Sequence, residues 1–168
     1  IENFSIEAFA SSGESGVAMH CDYDVNFSVL LAGKKQWTIM PNEHIVNQTS
    51  IFLPHGIEQV DKEQLNYIVK KPLPEKMGKG SESVVLNPGD VIFLPRGWWH
   101  QTVARGDCLS VNFVMKGPHF LDVLLYSLRK DLTNKKEWRE YAYNLVSHGE
   151  QRKILLGKFS ELLGELSK

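Results

Sequence analysis

The stretch Val17-Ala18-Met19-His20-Cys21-Asp22-Tyr23-Asp24-Val25-Asn26-Phe27-Ser28-Val29-Leu30-Leu31-Ala32-Gly33-Lys34-Lys35-Gln36-Trp37-Thr38-Ile39-Met40 decides the fold. It contains three short β-rich runs, 17–22, 25–32 and 35–40, with Gly33-Lys34 as the second break and Pro41 as the stop. A strand turns alternate side chains to one face, so His20 and Asp22, two residues apart, can present an imidazole and a carboxylate to one metal ion. A third ligand from far along the chain would complete a 2-His-1-carboxylate set, which leaves positions open on non-haem Fe(II). His100, in Gly97-Trp98-Trp99-His100, is the candidate.

Outward from this stretch, residues 2–10 alternate as a strand and 11–16 read as a loop. Residues 42–80 form an insertion with a helical turn at 43–48, an apolar piece at 51–54 and a mobile loop at 70–80. Strand patterning resumes at 83–86 and 91–94, separated by the turn Asn87-Pro88-Gly89-Asp90. After Pro95-Arg96-Gly97 come strands 98–104 and 108–115, joined by Arg105-Gly106-Asp107. Past Gly117-Pro118 the apolar period becomes helical, with stripes at Phe120, Val123, Leu124 and Leu128, at Trp138, Tyr141, Ala142 and Leu145, and at Ile154, Leu155, Phe159, Leu162 and Leu166. Thr133 is placed to cap the second helix. Strands first and helices last predict a mainly β, double-sheet jelly roll over 1–116 with a C-terminal helical region over 117–168.

Within the strands, Asn26 and Ser28 oppose Phe27, Val29 and Leu31, while Ser110 and Asn112 oppose Val111 and Phe113. A polar strand face is ordinarily a solvated exterior. Yet His20, Asp22, His100 and Thr102 lie on faces of the same kind; if these point inward, the barrel holds a polar site and its apolar faces meet a second layer or the helices.

The chain has 168 residues, 42% hydrophobic and 23% charged, with a formal net charge of -1. This is one domain's worth of core, with no electrostatic reason to expect nucleic acid or a membrane as partner. Cys21 and Cys108 do not make a disulfide framework, so a reducing cytoplasmic setting is expected. No apolar run is long enough to span a bilayer, and the start at Ile1 leads us to expect that an N-terminal part is absent.

The combination of His20-x-Asp22, Asn26, Gly33-Lys34-Lys35-Gln36-Trp37, Pro88-Gly89-Asp90, Leu94-Pro95-Arg96-Gly97-Trp98-Trp99-His100 and Ser110-Val111-Asn112-Phe113 resembles the JmjC-type, cupin-like Fe(II)/2-oxoglutarate oxygenases. The likeness is to their ribosomal-oxygenase and asparaginyl-hydroxylase branches and covers 17–132, apart from the insertion. It implies His20, Asp22 and His100 as iron ligands, and Lys35, fifteen residues after His20, as the cation that receives the far carboxylate of 2-oxoglutarate. It also implies Asn26 and Asn112 near the cosubstrate. The family's hydroxyl residue three positions before the first ligand is Val17 here, so anchoring is expected to fall to other groups, either Ser28 or a tyrosine in an absent N-terminal part. Cys21 is expected to be a core thiol pointing away from the metal, and Lys34 a surface lysine. Of the two tryptophans before His100, at most one lines the substrate entrance; His44, His55, His119 and His148 are expected at the surface or in caps.

The activity implied is hydroxylation of a protein or peptide side chain, using Fe(II), 2-oxoglutarate and O2. The alternatives are a small-molecule hydroxylase of the same chemistry and a metal- or ligand-binding cupin without turnover; Lys35 argues against the latter, which has no need of a dicarboxylate anchor. A structural relic would show eroded ligands, and all three are present. The C-terminal stripes suit either intramolecular packing or a homodimer interface.

Overall fold

The computed structural model describes residues 3–54, 62–141 and 149–166. It divides into two compact units, Ile1–Pro118 and His119–Lys168. Among the described residues the first has eight strands: β1 (Asn3–Ser11), β2 (Glu14–Cys21), β3 (Val25–Ala32), β4 (Lys35–Met40), β5 (Glu82–Leu86), β6 (Val91–Leu94), β7 (Trp99–Arg105) and β8 (Cys108–Lys116). They form two four-stranded antiparallel sheets, ordered β1-β8-β3-β6 and β2-β7-β4-β5. This alternation of strands between two sheets is the jelly roll that the patterning predicts.

The polar strand faces turn inward. Asn26, Ser28 and Ser110 are buried, while Leu31, Val91, Phe93, Leu109 and Met115, on the opposite face of the same sheet, are exposed. Inside, one apolar cluster joins Leu30, Trp37, Leu86, Ile92, Leu94, Ala104 and Cys108. A second joins Met19, Cys21, Met40 and Trp99 to Ile45, Phe52 and Leu73 of the insertion. Phe52 and Trp99 are fully buried, each worth about 1.5–3 kcal/mol or more of transfer free energy.

Three local expectations are corrected. β2 begins at Glu14, so part of the predicted loop is strand. Gly16 reads as loop because glycine weakens strands, but here it lets two backbones approach: a Cβ on Gly16 would lie 2.0 Å from the Thr102 carbonyl oxygen. Gly16→Ala is therefore expected to destabilise the fold by about 3 kcal/mol, read as a lower midpoint in chemical denaturation. Residues 43–48 form no helical turn; Asn42 Oδ1 instead accepts from the backbone N–H groups of His44 and Ile45, and Ile45 makes a bridge with Ile68. The insertion's helical piece is a short 3-10 turn at Gln64–Tyr67.

The third concerns the second unit, which holds α1 (Phe120–Thr133) and α2 (Gly149–Leu166). Thr133 is not a cap for a following helix: it ends α1, and its hydroxyl donates to the Arg129 carbonyl. His119 caps the start of α1 through a reciprocal box with Asp122, whose carboxyl the His119 backbone N–H and ring hold below the usual range. Of the middle stripe, Trp138 sits in a 3-10 turn at Lys136–Trp138; Ala142 and Leu145 lie outside the described residues, as do His55 and His148. Among the described residues no helix is long and apolar enough to cross a membrane.

Candidate functional site

His20 and His100 face each other across the β2–β7 pair, after a bulge between Val17 and His20 that resets the register. The bulge brings both rings to the inner face, with centroids 4.1 Å apart and tilted by 54°. Asp22, one residue past the end of β2, completes the group: its Oδ1 is 3.6 Å from His20 Nε2 and its Oδ2 3.6 Å from His100 Nε2. One donor atom from each residue lies within 4.8 Å of the other two.

The hydrogen bonds around this trio determine what it can hold. His20 Nδ1 is 2.7 Å from the Ala18 carbonyl oxygen and His100 Nδ1 is 3.0 Å from that of Trp98. A carbonyl only accepts, so each Nδ1 carries the proton, and in the neutral ring each Nε2 is a bare lone pair. Burial, and then the neighbouring His20, push His100 down to about 4, against the opposing pull of the Trp98 carbonyl and Asp22. The ring is thus neutral at pH 7, the form that ligates metals. The Nε2 atoms of both rings and the Asp22 carboxylate oxygens converge on one point, a set of donors that a cation can bind. Asn26 Nδ2 donates to Asp22 Oδ2 at 2.8 Å and orients the carboxylate.

The trio lines a cavity of about 280 Å³ together with Asn26, Lys35, Trp37, Thr102 and Asn112. This is at the lower edge of the roughly 300–1,000 Å³ of ligand sites, a size suited to a small polar molecule. Lys35 is 7% exposed, whereas Lys34 is exposed. The Lys35 ammonium donates to Ser110 Oγ at 3.1 Å and lies 5.2 and 5.6 Å from the Phe9 and Trp37 ring centroids, with no carboxylate partner among the described residues. Burial holds it below the usual lysine range. A buried cation without an acid, facing a cavity, is a site for an anion. The buried Oδ1 atoms of Asn26 and Asn112 also lack partners among the described residues. Ser28 shares their inward face but does not line the cavity.

Cys21 is fully buried in the second apolar cluster, its thiol pushed up to about 12 by burial, and both cysteines are free. Trp99 is core, and half-buried Trp98 lines a separate polar cleft. Two residues that the sequence did not single out as site residues belong here. Thr102 is 4% exposed, lines the cavity and accepts the Val17 N–H at 3.1 Å. Gln48 is 2% exposed and donates through Nε2 to the Asp22 carbonyl at 2.9 Å; that carbonyl also accepts from Gly97 N–H. The signal for Thr102 was its parity with His100; Gln48, in a polar insertion, carried none. Gln48→Met is expected to lower stability by about 1–2 kcal/mol and weaken metal binding, measured by denaturation and by metal titration.

Residues 2–115 match the family model described as the cupin-like domain. Among curated proteins the chain is 29% identical over 165 residues to the uncharacterized protein YxbC of Bacillus subtilis (strain 168), covering 95% of this chain and 48% of YxbC. It is 26% identical over 148 residues to the 2-oxoglutarate and iron-dependent oxygenase JMJD4 of Mus musculus, covering 79% of this chain and 32% of that protein. It is 27% identical over 101 residues to the bifunctional lysine-specific demethylase and histidyl-hydroxylase NO66 of Drosophila persimilis, covering 60% and 12%. The chain thus spans about half the length of the first of these relatives and less of the others.

Proposed function

The chain belongs to the cupin-like domain family, and on that premise we propose that it is an Fe(II)- and 2-oxoglutarate-dependent oxygenase that hydroxylates a side chain of a protein or peptide. One observation carries this reading: the convergent donor set of His20, Asp22 and His100 and the buried ammonium of Lys35, which has no carboxylate partner among the described residues, line one small cavity. A metal alone would not call for Lys35, and an anion alone would not call for the donor set. A dicarboxylate that chelates the metal at one end uses both. The names of JMJD4 and NO66 support the same chemistry and favour a protein substrate.

In this reading His20, Asp22 and His100 hold Fe(II) and leave positions for cosubstrate and oxygen. When bound, Fe(II) with 2-oxoglutarate and O2 supplies an oxidation that yields succinate and CO2 and places one oxygen atom in a substrate C–H bond. The Ala18 and Trp98 carbonyls hold the proton of each neutral ring on Nδ1 and so aim Nε2 at the metal position, and Asn26 fixes the rotation of the Asp22 carboxylate. Lys35 neutralises the far carboxylate, a burial that would be costly without it. Trp37, stacked on His100 with centroids 5.8 Å apart, restrains that ring and walls the cavity from water.

The test is isothermal titration of 2-oxoglutarate into the anaerobic Fe(II)-loaded protein, followed by succinate analysis after air is admitted. Binding with slow succinate release supports the oxygenase and justifies screening peptides. No binding by the folded protein overturns it in favour of a ligand-binding cupin.

A further inference from the structure

We propose that Thr102 supplies the hydroxyl that, beside Lys35, holds the far carboxylate of 2-oxoglutarate; this rests on the oxygenase reading above. A buried carboxylate offers about four lone-pair sites, and the Lys35 ammonium, with one of its three N–H groups on Ser110, has two donors left and cannot fill them all. A second donor is required at that end of the cavity.

Thr102 meets the requirement by position. On β7 it stands two residues from His100, on the same inner face, and the next inward residue, Ala104, is the register partner of Lys35. The line His100, Thr102, Ala104 thus runs from the metal donors to the anion end. Thr102 and Lys35 also both line a second cavity of about 200 Å³, so the pair stands where the two cavities share a wall.

Its hydrogen bonding leaves the needed proton available. Thr102 Oγ1 accepts the Val17 N–H, which occupies a lone pair and leaves the O–H free to donate; among the described residues it has no acceptor. Val17 is the register partner of Thr102, so a hydroxyl at either position would reach the same neighbourhood, and here only Thr102 has one. Neither Ser28 nor Ser110 lines the cavity.

The experiment compares anaerobic Fe(II)-loaded wild type, Thr102→Val and Thr102→Ser in titrations with 2-oxoglutarate and with 2-oxobutyrate, which lacks the far carboxylate. Thr102→Val is expected to weaken 2-oxoglutarate about tenfold to a hundredfold, the cost of a hydrogen bond to a charged group. It should leave 2-oxobutyrate within about twofold, and Thr102→Ser should stay within about threefold of wild type for both ligands. Thr102→Ala serves the same comparison if the valine variant does not fold. Unchanged 2-oxoglutarate binding in Thr102→Val, or equal weakening of both ligands, overturns the assignment while leaving the oxygenase reading intact. A wild type that binds neither ligand overturns the reading beneath it.

Discussion

Replacing His100 by alanine is expected to abolish Fe(II) binding and turnover together. His100 is the most enclosed of the three ligand candidates, its side chain 4% exposed against 13% for His20 and 22% for Asp22. Its loss leaves a carboxylate and one imidazole, and two ligands hold Fe(II) weakly. Changes to residues that merely orient a ligand cost about 10–100-fold in metal affinity, so losing the ligand itself should cost more than about 100-fold. Anaerobic metal titration reads this directly, and succinate release should vanish in parallel. A variant that keeps wild-type activity would sink the triad.

Lys35→Met should leave Fe(II) affinity unchanged and weaken 2-oxoglutarate by at least about 30-fold, because deleting one partner of a buried charge pair costs about 2–5 kcal/mol. Unchanged cosubstrate affinity would show that another cation holds the far carboxylate. The apo protein gives a second signature. Burial depresses the folded-state pKa of Lys35, so between that value and the ordinary lysine value of about 10.4 the unfolded chain binds more protons than the folded one. Stability of the apo protein therefore rises with pH through that window, and the depressed ammonium costs stability below it. In Lys35→Met this rise should disappear, as followed by denaturation at a series of pH values.

Much of the barrel was legible because a strand's period of two survives in a single sequence. β4 runs from Lys35 to Met40 as expected, since Gly33, at φ +81°, turns the chain just before it and Pro41 follows it. Gly16 shows the limit: nothing local tells a glycine that breaks a strand from one that admits a neighbouring backbone. The choice between Lys34 and Lys35 is similar. Alternation alone leaves it open, the spacing to His20 in the resemblance chose Lys35, and Lys35 is indeed buried on the same face as inward Trp37. The inward turn of the polar faces of β3 and β8 stayed conditional in the sequence, since alternation alone does not distinguish interior from exterior and only the company of His20 and Asp22 hinted at it. Gln48 was invisible because its partners are the backbone of Asp22 and the Cys21 sulfur, 26 and 27 residues away.

That last contact bears on what can be exchanged among relatives of this fold. The insertion delivers Gln48 to the Asp22 carbonyl and to the turn at Gly97, where a Cβ would meet Gln48 Nε2 at 3.2 Å, and it delivers Phe52 to pair with Cys21. The two chain segments carrying the donor trio are therefore clamped by a third that contributes none of it. A chimaera that swaps the 42–80 region for a shorter loop would keep every metal donor and still lose their common frame. The portable unit is the barrel together with the front half of its insertion.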